Sequence, residues 1–202
     1  MTLDEIFAFA VFAFAISITP GPNNTMVLAS GANFGLRPTI PHLLGIDLGF
    51  ALMIIAVGLG IGGLFMAFPP LHTALRYLGA LYLLFLAWRI AIAGRPTGAA
   101  SRKRPLSFLQ AASFQWVNPK GWIAATGTVA TYTPSHGYFA NLLIVTAIFA
   151  LVMGPCITLW AALGVSLRRV LSRSVYLRAF NWIMAVLLVA SLYPTFFRAS
   201  EP

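Results

Sequence analysis

The chain has 202 residues, 59% of them hydrophobic and 8% charged, with a net charge of +9. A soluble domain carries roughly 25% charged residues and cannot hide this much apolar surface, so the composition excludes a soluble fold and makes the bilayer the solvent. The basic residues sit in the gaps between apolar runs, where topology accounts for them and a nucleic-acid partner does not.

Six apolar runs suit a bilayer, since a crossing helix needs about 20 residues. The first covers residues 3–29 and is interrupted at Thr19-Pro20-Gly21-Pro22-Asn23-Asn24. It is not a secretory signal peptide: it opens on Asp4 and Glu5, and its apolar stretch is too long. The second, 40–66, holds Asp47 and a series of glycines, among them Gly45-x-x-x-Gly49, a spacing that lets helices pack closely. Pro69-Pro70 closes it, because proline cannot continue a helix. The third is 71–93, and the polar stretch 94–105 after it is the only linker-like segment. The fourth, 106–133, is interrupted at Asn118-Pro119-Lys120; whether 108–117 crosses the membrane or only enters it stays open. A turn at Thr133-Pro134-Ser135-His136-Gly137 leads to the fifth run, 138–165, kinked at Gly154-Pro155. The sixth is 175–197. His42, His72 and His136 fall near run ends and read as interface residues.

Lysine and arginine set the orientation. Arg37, then Arg89, Arg95, Arg102, Lys103 and Arg104, then Arg168, Arg169, Arg173 and Arg178 lie in or beside the first, third and fifth gaps. The opposite side has only Arg76 and Arg198. The bias places those three gaps in the cytoplasm and both termini outside. The expected fold is therefore an all-α polytopic membrane protein of six transmembrane helices, a single domain over 1–202. Half one is about 1–93, the cytoplasmic loop 94–105, and half two about 106–202. Three crossings per half make the halves enter from opposite sides, a 3+3 inverted repeat, and the first helix of each half is broken at a proline and asparagine.

These breaks are the candidate site. Pro20, Gly21 and Pro22 unwind the chain locally, which lipid tolerates only where protein or water surrounds the freed groups. Half-helix N-termini attract anionic groups and free carbonyls attract cations. Asn23 and Asn24 add amide donors and acceptors, a kit that suits a zwitterion. The bland alternative is a proline kink with asparagines as interhelical glue. Asn118, Pro119 and Lys120 form the second break. A lysine at bilayer depth costs on the order of 3 kcal/mol, so Lys120 either binds a substrate carboxylate or serves charge coupling, or else snorkels or neutralises Asp47. Apart from Asp4 and Glu5 at the very start of the first, Asp47 is the only carboxylate within a run and the candidate for proton coupling, because intramembrane carboxylates often relay protons. A structural pair with Lys120, or a place near the interface, is its alternative.

Other chemistries are poorly supplied. A single cysteine, Cys156, rules out an intrachain disulfide, and neither CxxC nor HExxH occurs, so no metal site or cofactor is expected. Export of a divalent metal or inorganic ion is the runner-up, but such ions want several carboxylate, imidazole or thiolate ligands. The runs offer Asp47, Cys156 and little else. An intramembrane enzyme would need paired carboxylates or an activated serine, and neither stands out.

Four stretches resemble the LysE/RhtB family of amino-acid exporters: SITPGPNNTMVLASGANFGLR (17–37), GALYLLFLAWRIA (79–91), FQWVNPKGW (114–122) and, more weakly, LRAFNW (177–182). The resemblance runs along nearly the whole chain. It implies a six-helix protein of the bacterial inner membrane that exports amino acids or derivatives, coupled to the proton motive force. The substrates it implies range over basic amino acids, homoserine lactone and threonine, leucine, and cysteine or O-acetylserine, and QWVNPK and LAWRIA look closest to the last branch. The family's motif regions carry over onto Pro20, Gly21, Pro22, Asn23 and Asn24, and onto Asn118, Pro119 and Lys120. One departure is Ala185 and Ser191 in the last run, where family members often have glycine. The partners expected are a small amino-acid substrate, protons and lipid; oligomeric state stays open, a homodimer included.

Overall fold

The computed structural model describes residues 1–61, 69–93 and 104–192. Residues 62–66 of the second run, 94–103 of the expected loop and 193–197 of the sixth run lie outside them, as do Arg198 and the side chains of His72 and Arg76. Within them the chain is helical: α1 (Leu3–Ile18), α2 (Pro22–Phe34), α3 (Leu36–Ala56), α4 (Pro69–Ala91), α5 (Phe108–Gln115), α6 (Pro119–Tyr132), α7 (Tyr138–Ser166) and α8 (Ser174–Ala190).

Local chemistry sets the starts and stops. Thr2 and Glu5 form a reciprocal capping box on α1, and Ser107 and Gln110 form another on α5. Pro22 and Pro119 sit at the first turns of α2 and α6, where a missing N–H costs nothing. α2 and α3 are separated by Gly35 alone, whose φ of 90° a side chain would resist. Arg37, expected in a gap, therefore belongs to the first turn of α3. Pro69, expected to close the second run, opens α4 instead.

Large apolar side chains are exposed along most helices: Phe7, Leu52, Leu81, Ile123, Leu151 and Val186 are all more than half exposed. A soluble monomer rarely shows such continuous apolar surface, so lipid is its natural cover. Leu36–Ile61 and Tyr138–Ser166 are each long and apolar enough to cross a bilayer, and α1 with α2, bent by 57°, makes a third candidate. α5 and α6 span about 12 and 21 Å at 1.5 Å per residue, so neither alone crosses a core of about 30 Å.

Two close approaches hold the core. A Cβ on Gly31 of α2 would strike Ala161 O, and one on Gly164 of α7 would strike Leu28 O, so these backbones touch in both directions. Gly45 and Gly49 of α3 receive Phe108 O and Ala112 of α5 in the same way, which is the close packing their spacing predicts. His42 corrects an expectation: it is fully buried on α3, with Nδ1 sharing a 3.1 Å hydrogen bond with Ser30 Oγ.

Candidate functional site

At the first break a helix C-terminus faces a helix N-terminus. α1 leaves carbonyls without helical partners, and in an apolar surround these must be satisfied. Three other helices supply the donors. Asn24 Nδ2 of α2 donates to Ser17 O and Thr19 O, both at 2.9 Å. Trp160 Nε1 of α7 donates to Ile18 O at 3.2 Å, and Lys120 Nζ of α6 donates to Thr19 O at 2.7 Å. Lys120 thus ties the second break to the first.

The N-termini are left open. Neither α2 nor α6 has a side-chain cap, and the first intrahelical bonds are Thr25 N to Gly21 O and Trp122 N to Asn118 O. The N–H groups of Asn23, Asn24, Lys120 and Gly121 therefore have no helical acceptor, and all four residues line one cavity. Two positive helix ends and an ammonium meet there. Orphaned acceptors meet there too. Asn118 Oδ1 and Ser17 Oγ are buried, line the cavity and have no hydrogen-bond partner. The remaining wall is apolar and includes Phe50, Phe149, Met153 and Ile157.

The cavity is about 40 Å³, room for a few waters and too small for an amino acid. A reciprocal amide pair ties its surroundings together. Asn23 Nδ2 donates to Gln115 Oε1 at 2.9 Å, and Gln115 Nε2 returns a bond to Asn23 Oδ1 at 3.3 Å and donates to Ala111 O at 2.9 Å. This joins α2 to α5 across the two breaks.

Of the residues expected here, Gly21, Pro22, Asn23, Asn24, Asn118 and Lys120 come together around the cavity. Pro20 is exposed and Pro119 half-buried; neither lines it, and both act by shaping the break. The amide donors of Asn24 are occupied by α1 carbonyls. Asp47 is not in the lining, though Phe50, one turn along α3, is. Its Oδ2 lies 3.3 Å from where a Cβ of Gly154 would stand, and Oδ1 is buried without a partner. No ion pair joins it to Lys120, whose ammonium reaches the end of α1 instead. Gln115, Ser17 and Trp160 were not singled out from the sequence; Gln115 sits three residues before Asn118, and that polar residue beside the break was the available signal. Among the described residues, no three His, Cys, Asp or Glu side chains gather as a metal site.

Paired helix breaks around a small cavity with polar groups in its wall fit a membrane transporter as the class. The LysE type translocator family model matches residues 14–191, and the chain belongs to that family. It is 30% identical over 193 residues to a cysteine/O-acetylserine efflux protein of Klebsiella pneumoniae subsp. pneumoniae, covering 94% of this chain and 95% of that one. It is 31% identical to a protein of the same description from Salmonella typhimurium and 29% to one from Escherichia coli, each covering 94% of this chain and 96% of the relative. No solved structure gives a significant match.

Proposed function

We propose that the chain is a secondary transporter that exports amino acids or their derivatives from the cytoplasm across the bacterial inner membrane, driven by the proton motive force. One observation carries the reading. The cavity between the breaks gathers donors for a carboxylate, from two open helix ends and Lys120, and unpartnered acceptors for an ammonium, from Asn118 and Ser17. The relatives' descriptions make O-acetyl-L-serine the first substrate to try.

Element order supports six crossings in a 3+3 inverted repeat within one domain. Each half begins with a capping box, breaks before a proline, turns at a positive-φ glycine (Gly35, Gly137) and continues into a long helix. α1 packs on α7 as α5 packs on α3, while α3 meets α7 and α4 meets α8. That is the exchange a twofold relation between halves produces. Alternating access then rocks the halves about the cavity, with both termini outside. Asp47, half-buried beside Gly154 with its Oδ1 buried and unpartnered, carries the coupled proton.

Everted vesicles from cells producing the chain should accumulate radiolabelled O-acetyl-L-serine when energised, and an uncoupler should abolish this. Lack of accumulation with every amino acid and derivative tried would overturn the export reading.

A further inference from the structure

A cavity of about 350 Å³, larger than the one between the breaks, lies further along α2. Ser30, Asn33, His42, Arg89 and Arg104 are its polar lining residues, and the rest of its wall is mainly apolar. Its volume falls in the range of about 300–1,000 Å³ usual for small-molecule sites.

The two cavities share a stripe of α2. Asn23 lines the smaller one, and Met26, Ser30 and Asn33 line the larger. Their spacing of three, four and three residues keeps them on one helical face. Ser30 stands about 10 Å along the axis from Asn23. Each polar member of the stripe is bonded to a polar side chain of another helix: Asn23 to Gln115, Ser30 to His42, and Asn33 to Asn181, the last at 2.7 and 3.1 Å. Polar groups within a membrane helix are expensive and mark solute pathways. The stripe, with Met26 as its one apolar member, carries polar groups from one cavity to the other.

One group in the larger cavity lacks a partner. His42 is fully buried; Ser30 occupies its Nδ1, while Nε2 has no hydrogen bond. An orphaned ring nitrogen at the wall of a cavity is a ready contact for a polar solute, as donor or acceptor according to tautomer. Arg89 supplies charge. One of its N–H groups goes to Arg104 O at 3.3 Å, and its guanidinium lies 6.0 Å from the Phe85 ring centre.

We propose that the larger cavity is a second solute site, a station on the route to the cavity between the breaks. It takes a small zwitterion with its carboxylate on Arg89 and a polar group on His42 Nε2. The choice of solute rests on the export reading; the existence of the site rests on the geometry.

The test uses the full chain in lipid nanodiscs and radiolabelled O-acetyl-L-serine as the probe, with size exclusion confirming that each variant is folded. Two sites per chain are expected. Asn118→Leu removes one. Ser30→Ala and Arg89→Gln each weaken the other by about tenfold or more, the scale of a lost hydrogen bond to a charged group. As an independent measurement, Ala29→Cys in a Cys156→Ala background places the sole thiol on the wall of the larger cavity. The probe should slow its alkylation, and Arg89→Gln should remove that protection.

A single site insensitive to Ser30→Ala and Arg89→Gln, with transport intact, would overturn the station and leave the export reading standing. An Arg89-dependent site without any transport would keep the station and overturn the export reading. Protection by phospholipid but not by the probe would make the cavity a lipid pocket and also overturn the station.

Discussion

Replacing Lys120 with methionine separates two things its ammonium does. Nζ donates to Thr19 O at 2.7 Å, and the side chain borders the cavity, with Cδ 2.9 Å and Nζ 3.3 Å from where a Cβ on Gly21 would stand. Methionine matches the lysine stem as far as Cε and removes the ammonium. Thr19 O would still accept from Asn24 at 2.9 Å, so the stability cost stays near that of one ordinary hydrogen bond, about 0.5–1.5 kcal/mol. A substrate carboxylate would lose a charged donor worth about 1.5–3 kcal/mol, which raises KM by roughly 10- to 150-fold at 1.4 kcal/mol per decade. Uptake into everted vesicles, compared for O-acetyl-L-serine and its methyl ester, reads this directly. Wild type should prefer the free acid; Lys120→Met should lose the preference and leave the ester's KM unchanged. Gly21→Ala should shift KM the same way, because the new methyl displaces Lys120. An unchanged KM for the acid together with a lowered Tm would refute the reasoning and leave Lys120 as a clamp on α1.

Asp47→Asn should abolish accumulation driven by a pH gradient while sparing counterflow exchange, which needs no net proton movement; gradient-driven accumulation in this variant would remove Asp47 from the coupling. Gln115→Leu leaves the Asn23 amide unpaired at a cost of about 1–3 kcal/mol, and Asn23→Leu with Gln115→Leu should recover most of it. Thermal denaturation followed by size exclusion checks this, and failure of the double variant to recover would show that the pair is not the unit. Gly164→Leu drives a side chain into Leu28 O, with Ala32 N 2.9 Å from the new Cβ. Backbone against backbone puts the cost at the upper end of overpacking, about 3 kcal/mol, and a wild-type yield of monodisperse protein would contradict the close α2–α7 contact.

Much of this was legible because proline and glycine act locally. Pro22 and Pro119 fix where helices restart, whatever surrounds them, and α7 differs from its expected run by one residue at its end. The boundary between α2 and α3 was not legible. Arg37, Pro38 and Pro41 resemble a gap, yet Pro38 falls in a first turn, where proline is tolerated, and Pro41 lies within the helix. The motif residues converge as their chemistry suggested, but their partners depend on contacts between helices far apart in the chain. Two lone intramembrane charges invite pairing on electrostatic grounds; Asp47 instead faces α7 and Lys120 reaches α1. His42 looked interfacial from its place near a run end, and burial against Ser30 is set by helix rotation, which sequence spacing near an end does not fix.

The three carbonyls at the end of α1 limit how the molecule can move. Ser17 O, Ile18 O and Thr19 O take their hydrogens from α2, α6 and α7. Sliding α7 away strands Ile18 O and sliding α2 away strands Ser17 O, at about 1–3 kcal/mol each, whereas Thr19 O keeps one donor if either α2 or α6 leaves. The tips of α1, α2 and α7 are therefore tied to one another, and α7 comes from the other half of the sequence, so any rocking of the halves must exchange these bonds. Between α5 and α2 the hydrogen bonds are the reciprocal amide pair of Asn23 and Gln115. That pair lies at the junction of the two breaks, where its amide groups could be traded for those of a bound solute.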